Sequence, residues 1–182
     1  LAVERDKEAL SSLEGAMPLA LDLTEASAPR RVLAALPGPV SLAIQCAGIS
    51  GTGPFEDIPA SHHRAILALN FEAPVQLACT LLRERALAKN ATLAFVGSLS
   101  TFTGYPGAAS YAASKDALAS FAGSLNTALP RGQRAACIFP GPLATGHAAR
   151  YAPENSEATV ARRQSPATAA EQIFRDLTMG RT

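Results

Sequence analysis

Tyr111 and Lys115 are four residues apart in Tyr111-Ala112-Ala113-Ser114-Lys115. On a helix, that spacing puts both side chains on one face. Ser98 ends an apolar run and precedes Tyr111 by 13 residues, enough chain to bring its hydroxyl back beside the helix. A phenol with an ordinary pKa of about 10 is a poor acid or base near neutrality. A neighbouring ammonium favours the phenolate and lowers that value, which makes the pair suited to proton transfer. A serine hydroxyl beside it could hold a substrate oxygen while charge develops there. The same spacing also describes a half-buried aromatic beside a solvated lysine on an alanine-rich helix. The pattern is too short to decide between these readings.

The elements that must position these groups alternate along the chain. Met17–Leu23, Val40–Cys46, Thr92–Gly97 and Ala135–Phe139 are short, nearly continuous apolar runs. They read as strands covered on both faces, as in a parallel sheet. Leu1-Ala2-Val3 resembles the tail of one more. Between them lie helix patterns. Asp6–Leu13 stops at Gly15, and Glu25–Leu36 has Thr24 as a candidate cap and stops before Pro37. A long stretch runs from Ser61 to about Leu87, with Pro74 predicting a kink. Ala108–Leu129 stops at Pro130, and a last helix opens on Ser165-Pro166 and runs to about Met179. Strands alternating with helices predict a three-layer, doubly wound, mostly parallel α/β sheet. In such sheets chemistry lies beyond the carboxyl ends of the strands. Here those ends are Gln45-Cys46-Ala47-Gly48, Gly97-Ser98 and Pro140-Gly141.

The 182 residues fit one domain, and 48% hydrophobic against 17% charged residues exclude a disordered chain. The 16 basic and 15 acidic residues leave no footprint for nucleic acid or an anionic membrane. No apolar run approaches 18 residues, so no membrane span is expected. Cys46, Cys79 and Cys137 are odd in number and far apart, which predicts buried thiols, neither disulfides nor a metal site. A reducing, cytoplasmic setting follows.

Taken together, the motifs resemble the short-chain dehydrogenase/reductase family, in its shorter branch, over essentially the whole chain. Tyr111–Lys115 has the form of its Tyr-x-Ala-Ser-Lys, and Ser98 falls at its serine spacing. Asn70, in Ala68-Leu69-Asn70-Phe71, matches an asparagine in its long helix. Gln45–Gly48 stands where Asn-Asn-Ala-Gly would, and Pro140–Thr145 matches Pro-Gly-x-x-x-Thr. Asp22-Leu23-Thr24 and Tyr105-Pro106-Gly107 also fit.

The resemblance implies a Rossmann-like domain over residues 1–182 that binds NAD or NADP and transfers hydride to or from a carbonyl/secondary alcohol pair. Tyr111 would be the acid or base, and Lys115 would lower its pKa and hold the nicotinamide ribose. Ser98 would bind the substrate oxygen. Asn70 would anchor a water leading to Lys115. Asp22 and Leu23 would bound the adenine. Cys46, Ala47, Gly48, Pro140, Gly141 and Thr145 would line the dinucleotide. Glu4, accepting from a ribose 2′-hydroxyl, favours NAD, whereas Arg5 could hold a 2′-phosphate; the balance leans to NAD. The family implies a small-molecule substrate and a homodimer or homotetramer through the two long helices. A non-catalytic binding protein of the same fold and an NAD-dependent epimerase or dehydratase are the other readings.

One departure is conspicuous. No Gly-x-x-x-Gly-x-Gly lies between a strand and a helix, and Gly48, Gly51 and Gly53 read as turn glycines. The chain starting at Leu1 is therefore expected to be an N-terminally truncated piece lacking the first βα unit, and also a last strand. In strand order 3-2-1-4-5-6 the first strand is central, so its absence predicts a gap in the sheet. Gln45, longer than asparagine, puts the usual bracing of the strand end in question. Adjacent His62 and His63 lack a metal-ligand spacing and read as exposed helix-entry residues. His147 reads as loop with a possible substrate contact, Phe102 and Tyr105 as core or pocket wall, and Arg162-Arg163 as solvated charges.

Overall fold

The computed structural model describes residues 1–100, 107–146 and 163–180. Phe102, Tyr105, Pro106, His147, Tyr151 and Arg162 lie outside them. The elements run β1 (Ala2–Glu4), α1 (Lys7–Ser11), β2 (Pro18–Ala20), α2 (Ala28–Ala35), β3 (Val40–Gln45), α3 (Ala60–Leu67), α4 (Ala73–Arg83), β4 (Leu87–Val96), α5 (Ala109–Asn126), β5 (Arg134–Ile138) and α6 (Pro166–Thr178). All strand pairs are parallel.

The alternating period places helices on both sheet faces. On one face Phe95 and Leu93 pack with Leu81 of α4 and Leu118 and Ala122 of α5. On the other, Ala94 and Ala136 meet Leu177 of α6. The α/β layering read from the sequence is therefore correct.

The sheet is in two parts: β1 pairs only with β2, and β3-β4-β5 form a separate three-stranded sheet. Between β1 and β3 runs a slot of three adjoining cavities, of about 200, 280 and 300 Å³, lined from both sides by residues such as Val3, Leu23, Ile44 and Leu77. Ala2 donates to Met17 and Glu4 accepts from Leu21, so strand alternation turns the Val3 amide and carbonyl away from β2, toward the slot. Leu1 and Ile44 remain exposed beside it. The gap predicted between the Met17–Leu23 and Val40–Cys46 strands is present, with β1 on its near side.

Several boundaries differ from the sequence reading. Thr24 does not cap α2; it donates to Asp22, and the helix starts after Ser27 with Pro29 in its first turn. Ser61 does not cap α3, which starts at Ala60 behind Pro59. The long helix stops at Arg83, not Leu87. Its end is a Schellman turn: Ala86 donates to Leu81, Arg85 to Leu82, and Arg85 takes φ 52°. The residue in the left-handed position is usually glycine; an arginine there gives no sequence signal. β4 consequently begins at Leu87, five residues before the predicted strand. The last helix is as predicted, with Ser165 Oγ accepting from the Thr168 amide at 3.1 Å.

The kink expected at Pro74 is instead a π-turn, Ala68–Glu72, joining α3 to α4. The helical run Ala60–Arg83, interrupted by that π-turn, has a mean hydropathy of 1.5 over its most apolar stretch and meets the test for a membrane span by length and composition alone. In the fold it packs against α2, β4 and α5.

Candidate functional site

β4 ends at Val96 and delivers Ser98 just beyond the sheet. α5 returns beside it, its far end fixed by Asn126, whose side chain pairs with both the amide and the carbonyl of Ala135 in β5 at 2.7 and 2.6 Å. Its near end is fixed by interlocking glycines. A Cβ on Gly51 would stand 2.8 Å from the Gly107 carbonyl oxygen, and one on Gly107, at φ 79°, 2.8 Å from that of Gly53. Only glycine allows such approach. The loop after β3 thereby sets where α5 starts, two residues before Tyr111. The sequence reading recognised turn glycines but not this contact.

Within that frame Tyr111 hydrogen-bonds Ser98, and the Ser98 hydroxyl oxygen also accepts from the Ser100 amide at 3.1 Å. Lys115, 3% exposed, donates from Nζ to the Val96 carbonyl at 2.8 Å and lies 5.8 Å from the centre of the Tyr111 ring. Burial pushes the Lys115 ammonium below its usual range. Burial also pushes the Tyr111 phenol up, with the Ser98 bond acting the other way. The expected lowering of Tyr111 by Lys115 is thus corrected: in this desolvated position the cost of burying a phenolate exceeds the neighbouring groups' effect.

Asn70 is fully buried and bridges three segments. Its Oδ1 accepts from the Ile49 amide at 2.9 Å, and its Nδ2 donates to the Ile49 carbonyl at 2.9 Å and to Ser114 Oγ at 3.0 Å. Ser114 in turn donates to the Tyr111 carbonyl at 2.6 Å. Ser114 has no role of its own in the sequence reading; a small residue between two chemical ones offers no signal beyond the motif. Gln45 does brace the strand end, by donating to the Pro74 carbonyl at 3.2 Å.

Glu4, Arg5, Leu23, Ala47 and Gly48 line one slot cavity, and Cys46 joins Ala47, Glu4 and Leu23 in the next. A Cβ on Gly48 would come within 3.2 Å of Asn70 Oδ1 and 3.3 Å of Lys115 Nζ, so the glycine keeps that approach open. Glu4 accepts from the Arg5 and Asp6 amides at 2.6 and 3.2 Å, and Arg5 reaches Asp22 at 3.8 Å. Asp22 borders this end without lining the cavities, its carboxyl held below the ordinary range chiefly by the Thr24 hydroxyl. Pro140, Gly141 and Thr145 follow β5 and are absent from the slot lining.

Two expectations need correction. Cys46 and Cys79 are exposed and Cys137 is half-buried, so the thiols are not a buried set; Cys137 packs against the core. His62 and His63 are half-buried and bonded, to the Ser50 carbonyl at 2.9 Å and Ser110 Oγ at 2.7 Å, because α3 packs on α5. Among the described residues no group of three His, Cys, Asp or Glu is placed to hold a metal.

Known proteins share this fold. The sequence profile of the short chain dehydrogenases matches residues 2–156. An uncharacterized oxidoreductase of Myxococcus xanthus is 34% identical over 128 residues, 68% of this chain and 51% of that protein. One of Bacillus subtilis is 33% identical over 108 residues, 59% and 39% of the two chains. The chain spans about half the length of the curated relatives it matches. A short-chain dehydrogenase/reductase structure from Brucella melitensis superposes with a TM-score of 0.85 at 20% identity, covering 94% of this chain and 75% of that one. A putative NAD(P)-dependent gluconate 5-dehydrogenase from Beutenbergia cavernae, with bound NADP, gives 0.76 at 23% identity, covering 91% and 74%. With the profile matched over most of its length, the chain belongs to the short-chain dehydrogenase family.

Proposed function

We propose that this protein is an NAD(P)-dependent oxidoreductase acting on a carbonyl/secondary alcohol pair. The observation that supports this best is the convergence of Ser98, Tyr111 and Lys115 beyond the end of β4, with Tyr111 hydrogen-bonded to Ser98. Gly48 leaves an open approach to Lys115 and Asn70, which fits a flat nicotinamide ring and its ribose. The dinucleotide, when bound, supplies the hydride chemistry.

This chain's own residues handle position and the proton. Ser98 holds the substrate oxygen, with one of its acceptor positions already used by the Ser100 amide. Tyr111 Oη gives its proton to that oxygen in reduction and takes it back in oxidation. A phenol that burial keeps protonated is ready to donate. Lys115 holds ribose hydroxyls, and Asn70 supports a water leading to Lys115. Cys46, Ala47 and Gly48 bound the nicotinamide half, and Glu4, Arg5, Asp22 and Leu23 the adenosine half. Pro140, Gly141 and Thr145 would close over the cofactor from beyond β5. The structural neighbour with bound NADP and another, BdcA in complex with NADPH, support a nicotinamide cofactor; Glu4 tilts the choice to NAD.

The slot between β1 and β3 belongs to the same reading. It is the seat of one further parallel strand, whose following loop would carry the pyrophosphate on a helix N-terminus. That unit precedes Leu1 in the complete protein, whose setting is cytoplasmic and whose assembly is a homodimer or homotetramer through α3–α4 and α5. The test is to express the chain with its upstream coding sequence and titrate NAD(H) and NADP(H). Binding by the extended chain, with residues 1–182 at least about a hundredfold weaker, supports the reading. Equal binding by both, or an in-frame stop directly before Leu1, overturns the strand assignment.

A further inference from the structure

The helix carrying Asn70 is broken at one place. Ala73 donates to Ala68, five residues back, and so leaves the α-helical pattern. The Leu69 carbonyl thereby loses its α-helical donor, Ala73. The α-helical donor to Asn70 would be residue 74, and Pro74 has no N–H. The same proline cannot serve Leu69 in π-helical register either. α4 then restarts with Pro74 in its first turn, where a missing donor costs nothing. The turn that results directs the Asn70 side chain out of the helix and onto Ile49 and Ser114. The Pro74 carbonyl is itself held by Gln45 at the end of β3.

We infer that Pro74 is a positioning residue: by withholding its N–H it keeps the π-turn at Ala68–Glu72 and so aims Asn70 at the loop after β3 and at the helix bearing Tyr111 and Lys115. π-turns inside α-helices recur at functional sites because they re-aim one residue. Restoring an N–H at position 74 lets a straight α-helix close across Asn70, rotates its amide away from Ile49 and Ser114, and ties its carbonyl into the helix. The consequence for catalysis rests on the proposed function; the effect on Asn70 does not.

The experiment follows the Asn70 side-chain amide by nuclear magnetic resonance in ligand-free chain, with Asn70→Ala to assign its signals. In the wild type these protons are buried and bonded, so they exchange slowly. In both Pro74→Ala and the bulkier Pro74→Val, which fills the proline's volume, we expect exchange at least about tenfold faster and loss of the Ile49 amide's shifted resonance. A protein for which Pro74 only packs would show a changed melting temperature with these signals unmoved, which overturns the inference. Failure of both variants to fold would also count against it, because a helix that gains a donor should tolerate the change. Turnover in the extended protein is a separate measurement. Unmoved Asn70 signals in the variants defeat the inference, whereas absent turnover in the wild-type extended protein, with the variants' signals moved, defeats only the oxidoreductase reading.

Discussion

Lys115 donates to the Val96 carbonyl at 2.8 Å while lying 5.8 Å from the Tyr111 ring centre. The ammonium is thus tethered to the last residue of β4, and its distance to the phenol is fixed by the sheet as well as by the helix. A lysine four residues from a tyrosine could otherwise sample solvent. Here it is 3% exposed, and burial rather than its neighbours sets both titrations.

The two groups leave opposite marks on alkaline stability. Lys115 titrates below 10.5 in the fold, so just under that pH the unfolded chain holds more protons and stability rises with pH. Tyr111 titrates above 10.0, so above that pH the folded chain holds more protons and stability falls. Lys115→Met should remove the rise and Tyr111→Phe the fall. Urea unfolding midpoints across pH 8–11 would check both, and unchanged slopes would refute the assignment.

Ser98 lowers the Tyr111 pKa through their hydrogen bond. Ser98→Ala should therefore move the Tyr111 titration higher still, read by tyrosinate absorbance against the other two tyrosines. A downward or absent movement would show that the bond does not favour the phenolate. In the extended protein Tyr111→Phe should lower kcat by about 10²–10⁴-fold, with the fold retained by circular dichroism.

At the other end of the site, Thr24 holds the Asp22 carboxyl through two hydrogen bonds, at 2.6 and 2.9 Å. With the folded pKa below 3.8, this contributes stability present above that pH and lost as pH falls through the lowered value. Thr24→Val should raise the Asp22 midpoint toward 3.8, as followed by carboxyl carbon shifts. An unchanged midpoint would mean that the Thr24 amide, which valine keeps, carries the lowering instead of the hydroxyl.

Gly107→Ala should be costly, because it adds a Cβ 2.8 Å from the Gly53 carbonyl oxygen at φ 79°. We expect a loss of about 1–3 kcal/mol and a displaced start of α5. Gly123→Ala, with nothing within 4 Å of the added Cβ, is the control and should be neutral or mildly stabilising. Equal melting temperatures for the two variants would show that the glycine contact does not matter.

The slot predicts a pattern of hydrogen exchange. The Leu21 amide, bonded to Glu4, should be protected, while the Val3 amide, facing the cavity, should exchange with solvent. Addition of the upstream strand should slow Val3 by at least about tenfold. Protection of Val3 in residues 1–182 alone would mean the slot is closed in solution.

The sequence by itself determined the class of fold and the identities at the site. Apolar runs of strand length, alternating with helical periods, leave few ways to bury both, and a layered parallel sheet is the cheapest. Tyr111, Lys115 and Ser98 were legible because their spacing places them on one helix face and at a strand end, and Asn70 because its motif resembles the family's. Boundaries that hung on exceptions were not legible, such as the Arg85 turn that ends α4 without a glycine. Tertiary structure alone decided the rest. It set the burial that raises Tyr111 against the local effect of a lysine. It made the glycine contact between residues 51–53 and 107, the Asn70–Ser114 bond across 44 residues, and the slot that splits the sheet. Each of these depends on what a distant segment brings within a few ångströms, and chain spacing carries no record of that distance.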